Sequence, residues 1–188
     1  MEDIIIREVQ LDDAKDLLEI YGYYVENTAI TFETQIPSVE EFKERILAIT
    51  AKYPYLVAEM DGKIVGYSYA RAYNVREAYD WCVEMTIYLK EDIRGKGIGS
   101  KLYLKMEECL KKMNIKNLYS CIAATKHPSK HLTNASIDFH KALGYRINAQ
   151  FKQSGYKFDE WYDMVWMEKI IGEHEIHPKN VEKFSGLC

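Results

Sequence analysis

Three features of this sequence could do chemistry: a lone acid in an apolar strand, a glycine cluster just beyond that strand, and a histidine in a later helix. Glu84 interrupts Trp81-Cys82-Val83-Glu84-Met85-Thr86-Ile87-Tyr88-Leu89, an otherwise β-forming run. A carboxylate held among apolar neighbours is suited to accept a proton, although a strand acid facing solvent or paired with an arginine reads the same way in sequence. Further on comes Arg94-Gly95-Lys96-Gly97-Ile98-Gly99-Ser100. Glycines at a strand-to-helix junction let backbone amides approach an anion, and the helix amino terminus adds about half a positive charge. A phosphate or pyrophosphate site follows. The Walker spacing fails because the position five after Gly95 is Ser100, and the dinucleotide spacing begun at Gly97 needs glycine or alanine where Leu102 stands. What survives is Arg-x-x-Gly-x-Gly, filled by Arg94, Gly97 and Gly99. The cluster His174-Glu175-Ile176-His177 lacks the spacing that sets two imidazoles on one helical face, and no metal is expected there.

The elements that must position these residues are legible from periodicity. Ile4 to Val9 reads as a strand, followed by a helical pattern whose start, Leu11-Asp12-Asp13-Ala14, is acidic as the helix dipole favours. Ser38-Val39-Glu40-Glu41 presents a capping box, which predicts a helix to about Tyr53. Tyr55 to Met60 and Lys63 to Ala70 are strand-like and separated by Asp61-Gly62, the strongest hairpin signal in the chain. A polar loop from Arg71 to Asp80 leads into the strand that carries Glu84. From Ile98, the residues Leu102, Met106, Cys109, Leu110 and Met113 recur at helical spacing. Leu118 to Ala123 reads as a strand and Asn134 to Leu143 as a helix closed by Gly144. Arg146 to Ile170 reads as two strands joined through Gly155 to Glu160. A single α/β or α+β domain over residues 1–171 follows, with a mixed sheet between helices. Residues 172–188 form a polar tail expected to be loosely ordered.

Composition narrows the class. The 188 residues are 47% hydrophobic, enough for one core without staples, and 25 basic against 29 acidic side chains give a net charge of -4. A nucleic-acid partner is disfavoured. No apolar run approaches the roughly 20 residues of a membrane span, and the start Met1-Glu2-Asp3 lacks the order of a secretory signal, so a soluble cytoplasmic protein is expected. Cys82, Cys109 and Cys121 read as small core residues. The 15 tyrosines imply either a tyrosine-lined pocket or a tyrosine-rich dimer interface.

With Arg94, Gly97 and Gly99 between strand and helix, the sequence resembles the GCN5-related N-acetyltransferase (GNAT) superfamily. Asn134-Ala135-Ser136-Ile137-Asp138-Phe139-His140-Lys141-Ala142-Leu143-Gly144-Tyr145 resembles its later helix. More narrowly, Tyr53-Pro54-Tyr55-Leu56-Val57-Ala58-Glu59, Ala78-Tyr79-Asp80-Trp81, Thr31-Phe32-Glu33-Thr34 and Trp161-Tyr162-Asp163 look like the phosphinothricin and methionine sulfoximine acetyltransferases. The resemblance runs from about Ile4 to Lys169.

It implies a central, mostly antiparallel sheet of about seven strands with helices on both faces, and acetyl-CoA as donor. It implies direct transfer of acetyl to the amino group of a small amino-acid-like acceptor. Glu84 would be the base and His140 a candidate acid for the leaving thiolate, where many superfamily members carry tyrosine. His140 reads equally as a contact to coenzyme A and as a plain member of its helix. The backbone of Ile87, Tyr88 and Leu89 would receive the pantetheine arm, and Arg94, Gly95, Lys96, Gly97, Ile98, Gly99 and Ser100 the pyrophosphate. Asn134 reads equally as a cofactor contact and as a helix cap. Phe32, Thr34, Arg76 and Tyr79 would line the acceptor site, with Arg76 on a carboxylate. A homodimer is also implied. The rival readings are a polyamine, aminoglycoside or protein amino-terminal acetyltransferase of the same fold, and a non-catalytic acyl-CoA-binding domain.

Overall fold

Strand and helix fall where side-chain chemistry directs them in the computed structural model, which describes residues 4–93 and 95–187. The elements are β1 (Ile4–Glu8), α1 (Ala14–Asn27), α2 (Val39–Thr50), β2 (Tyr55–Met60), β3 (Lys63–Ala72), β4 (Cys82–Leu89), α3 (Ile98–Lys112), β5 (Asn117–Ala124), α4 (Ala135–Ala142), β6 (Arg146–Lys157) and β7 (Glu160–Ile170). The strands form one sheet in the order β1-β2-β3-β4-β5-β7-β6. Only β4 and β5 run parallel.

Local signals act as expected at several places. The Ser38 hydroxyl accepts from the Glu41 amide at 3.2 Å, and the Glu41 carboxylate accepts from the Ser38 amide at 2.7 Å, which closes the capping box of α2. Asp61 and Gly62 both take positive φ, 51° and 71°, turning the β2–β3 hairpin. On α3 the buried face includes Leu102, Met106 and Leu110, none of them exposed. At roughly 1.5–3 kcal/mol for each fully buried side chain, these three seat α3 far more firmly than its glycine cap, which offers no side-chain hydrogen bond.

The core lies in two layers. One, between the sheet and α3, joins Leu56, Val83, Leu102, Met106, Leu118 and Met167, and takes in Ile137 of α4. The other, on the opposite face, packs Leu17, Tyr21 and Val25 of α1 and Phe42 and Ile46 of α2 against Tyr55, Val57 and Tyr67. The sheet is therefore covered on both sides, as expected.

Three expectations are corrected. The connection between the last two strands falls inside the expected Gly155–Glu160 stretch but is shorter: Phe158 and Asp159, at φ 52° and 60°, make the turn, and Gly155 lies within β6 at a register shift. The reason is packing: a Cβ at Gly155 would stand 2.3 Å from the Phe32 ring, so the glycine admits that ring rather than turning the chain. The tail is docked rather than loose. The Lys179 carbonyl accepts from the Trp81 indole at 2.8 Å, the Glu182 amide donates to Met113, the Phe184 amide donates to Lys52, and the Leu187 amide donates to the Glu8 carboxylate. Val181, Phe184 and Leu187 pack on the α3-side core. Finally, of the cysteines read as core, Cys109 is buried, Cys82 is half-buried, and Cys121 is exposed to the cavity described next.

Candidate active site

The parallel pairing of β4 with β5 covers only Cys82–Asn117, Val83–Leu118 and Glu84–Tyr119. Beyond Glu84, β4 continues to Leu89 against β3 alone while β5 continues against β7, so the two strands part. The edge of β4 from Met85 to Leu89 is left with no strand beside it, and a cavity of about 540 Å³ opens at the fork. Such an edge is a ready partner for an extended, amide-bearing ligand.

Glu84 stands at the last rung before the fork and borders the cavity. Its side chain is 13% exposed and is held by Arg71, whose Nη2 donates to the two carboxylate oxygens at 2.8 and 2.9 Å while Nε donates at 3.2 Å. The antiparallel register sets Arg71 of β3 directly opposite Glu84. A second pair, Arg45 with Glu33 at 2.8 Å, lines the same cavity. Tyr21, Tyr55, Tyr67, Tyr69 and Tyr88 supply much of the remaining wall, with the Tyr21 and Tyr88 rings 5.1 Å apart and those of Tyr67 and Tyr88 5.6 Å apart. The tyrosine-lined pocket is therefore the arrangement adopted. Cys121 borders the cavity too, and burial together with Glu84 pushes its thiol up to about 11.

His140 is 2% exposed. Its Nδ1 lies 2.7 Å from the Ser136 carbonyl, which can only accept, so Nδ1 carries the proton and Nε2 accepts from the Tyr103 hydroxyl at 2.9 Å. Burial pushes the imidazole down to about 4 and the Tyr103 phenol well above its ordinary value. At neutral pH the pair is uncharged. Both rings reach the cavity wall.

The glycine loop follows β4. Gly95 and Gly97 take positive φ, 82° and 77°, and a Cβ at either would meet nothing within 4 Å. Gly95, Lys96 and Gly97 are exposed, and Gly97 caps α3 without a side-chain bond to the helix amides. An open backbone cradle at the start of a 15-residue helix fits a pyrophosphate. Gly99 serves packing instead, since a Cβ there would press on Phe139 and Leu89 at 3.2–3.3 Å. Ile98 is buried and Ser100 half-buried. Arg94 lies outside the described residues. Asn134 precedes α4 but makes no side-chain cap; its amide donates to the Thr125 carbonyl at 3.0 Å and accepts from the Thr125 amide at 3.2 Å, tying the end of β5 to α4.

Of the residues read as acceptor-binding, Phe32 lines the cavity. Its loop is fixed by Lys157, whose ammonium donates to the carbonyls of Thr28 and Thr31 at 2.8 and 2.9 Å. Thr34 is exposed, and Arg76 and Tyr79 sit on an exposed turn, where Tyr79 packs edge-on against Tyr73; none of these three is on the cavity wall. Ile87 and Tyr88 line the cavity, and Leu89 caps that edge with its carbonyl accepting from Tyr24. Sequence reading missed Arg71, Arg45, Glu33 and Tyr103. Arg71 lacked a signal because it opens a polar stretch.

A forked sheet with a glycine cradle at the start of the following helix defines a class, and comparison with known proteins identifies it. Residues 6–166 match the Acetyltransferase (GNAT) domain family, and the chain belongs to it: it is an N-acetyltransferase with acetyl-CoA as donor. It is 32% identical over 167 residues to a phosphinothricin N-acetyltransferase of Alcaligenes faecalis, a match covering 88% of this chain and 82% of that one. It is 30% identical over 165 residues to an L-methionine sulfoximine/L-methionine sulfone acetyltransferase of Pseudomonas aeruginosa, covering 87% and 92%. The crystal structure of a phosphinothricin acetyltransferase from Sinorhizobium meliloti in complex with AcCoA superposes with a TM-score of 0.85 at 33% identity, over 94% of this chain and 93% of that one.

Proposed function

We propose that the acceptor is a small amino acid bearing a polar or anionic side-chain head, of the phosphinothricin, methionine sulfoximine or methionine sulfone type. The observation that carries this reading is the charge on the cavity wall: two guanidiniums, Arg45 and Arg71, against two carboxylates, Glu33 and Glu84. Balanced charge suits a zwitterion. A polyamine or aminoglycoside asks for an acidic wall, and two arginines oppose it. The relatives named for phosphinothricin and methionine sulfoximine support the same class.

In this reading acetyl-CoA supplies a thioester carbonyl as electrophile. The strand edge at Ile87 and Tyr88 would receive its pantetheine arm, with Leu89, whose carbonyl and amide meet the Tyr24 hydroxyl, closing the end of that edge, and Gly95 to Ser100, with Arg94, would receive its pyrophosphate. Glu84 accepts the proton that the ammonium of the acceptor must lose before nitrogen can attack; the C–N bond then forms as the C–S bond breaks, and the departing thiolate takes the second proton that the nitrogen sheds as it becomes an amide. His140 acts through Tyr103: with Nδ1–H committed to Ser136, it fixes the phenol at the cavity wall. We read transfer as direct, as the family resemblance implies; Cys121, the cysteine on the cavity wall, fits this because burial pushes its thiol up to about 11 and makes it a poor nucleophile. We also read a second copy of the chain as partner. Phe151, Tyr156 and Trp161 are exposed near the β6–β7 turn and would be its apolar face, which sedimentation can measure.

The test is thiol release from acetyl-CoA across phosphinothricin, methionine sulfoximine, methionine sulfone, common amino acids, spermidine and an aminoglycoside. Release with the amino-acid analogues alone is expected; release with only the cationic amines overturns the acceptor class. For the cradle, Gly97→Ala forces a side chain into the left-handed region, which costs roughly 1–2 kcal/mol. It is expected to raise the acetyl-CoA KM about tenfold with kcat held. An unchanged KM removes this loop from the cofactor site.

A further inference from the structure

Arg71 is the one charged residue in direct contact with Glu84 among the described residues, and the contact is bidentate. A carboxylate occupied this way is poorly placed to take a proton from an amine. Yet the pair is not locked: the Arg71 side chain is 54% exposed, and such pairs are weak in water. We propose that Arg71 is the anchor for the carboxylate of the acceptor, and that binding proceeds by exchange of partners. The α-carboxylate takes the guanidinium from Glu84, and the ammonium takes the freed Glu84. The inference rests on the amino-acid reading above and deepens it.

The geometry matches the ligand chemistry. In an α-amino acid the carboxylate and the nitrogen are joined through a single carbon, so anchor and base must be neighbours. Arg71 and Glu84 are opposite residues of adjacent strands with contacts of 2.8–3.2 Å. Arg45 borders the cavity as well but pairs with Glu33, and Arg76, the arginine read as anchor from sequence, stands on an exposed turn off the cavity wall. Exchange also conserves charge: one internal ion pair opens, two form with the zwitterion, and no group is left uncompensated. A simple amine would occupy Glu84 while facing a free guanidinium. The ion pair thus selects for a carboxylate next to the amine, and holds the base engaged until such an acceptor arrives.

The test compares wild type with Arg71→Gln and Arg71→Lys, using methionine sulfone and its α-carboxamide as acceptors. A hydrogen-bonded charge pair is worth roughly 10- to 100-fold. Arg71→Gln is expected to lose that factor in kcat/KM for methionine sulfone, through KM, while the carboxamide changes less than threefold; Arg71→Lys recovers part of the loss. A second readout needs no turnover. N-acetylmethionine sulfone has the carboxylate but no ammonium, so by calorimetry it should bind Arg71→Gln more weakly, and Glu84→Gln severalfold more tightly, because there the guanidinium is already released. Equal losses for acid and carboxamide, or a loss in kcat alone, would make Arg71 a positioning residue for Glu84 and overturn the proposal. Wild type that acetylates no carboxylate-bearing amine overturns the amino-acid reading instead, and the binding of the acetylated compound still reports on Arg71 separately.

Discussion

Glu84→Gln is expected to lower kcat roughly 10²- to 10⁴-fold at neutral pH, the range that a positioned general base contributes, with the acetyl-CoA KM held within about threefold. The substitution is close to isosteric and keeps an oxygen toward Arg71, so it removes proton affinity while sparing shape. The donor's proposed contacts, the backbone edge at Ile87 and Tyr88 and the loop from Gly95 to Ser100, do not include the Glu84 side chain. Initial rates with methionine sulfone saturating, together with a thermal melt to confirm folding, check the outcome. Turnover within threefold of wild type would falsify the assignment of Glu84 as base and return it to the status of an arginine-paired strand residue. A rise in acetyl-CoA KM at unchanged kcat would move its role from the acceptor end of the cavity to the donor end.

Glu84 was visible in sequence because a single acid in a run of β-forming residues is costly unless something uses it. Arg71 was not, although it touches Glu84 in space. It lies near the end of β3 where composition turns polar, and only the antiparallel pairing of β3 with β4, which spans the loop between them, brings it opposite Glu84. Short-range chemistry was reliable where the signal and the structure are both local, as in the Ser38–Glu41 capping box. It misled at Gly155, where glycine is required by the Phe32 ring, more than a hundred residues distant in sequence, and the turn itself is made by Phe158 and Asp159. The tail shows the same limit. Its backbone is held by the Trp81 indole, the Met113 and Lys52 carbonyls and the Glu8 carboxylate, attachments through main-chain groups of the tail that polarity patterns do not register. His140 was legible as a position but not as a state, since neither its burial nor its bond to Tyr103 is written in the helix that carries it.

That buried state has a consequence for stability. His140 has an ordinary value of 6.5 and is pushed down to about 4 by burial among Phe139, Tyr145 and Tyr103, with Ser136 fixing its neutral tautomer. The unfolded chain therefore binds a proton that the folded chain refuses between these values, and stability rises with pH across that window. The contribution is fully present above about pH 6.5 and is lost as pH falls toward 4. With 1.36 kcal/mol per pH unit, the loss is about 2 kcal/mol by pH 5 and about 3 kcal/mol in full, a large share of the roughly 5–15 kcal/mol of a typical domain. The carboxylates held below their ordinary range, Asp13, Glu41 and Glu108, lose their contributions only at more acidic pH, so the interval from 7 to 5 isolates the imidazole. Urea denaturation at pH 7 and pH 5 should show this drop in wild type, and His140→Gln, which cannot titrate, should show less than about 0.5 kcal/mol of it. At pH 7 the same variant should itself be destabilised by about 1–3 kcal/mol unless the new amide recovers the Tyr103 hydroxyl. A wild-type protein equally stable at both pH values would mean that the imidazole is charged or solvated in the fold, and Tyr103 would then face a donor, reopening His140 as a source of protons for the leaving thiolate.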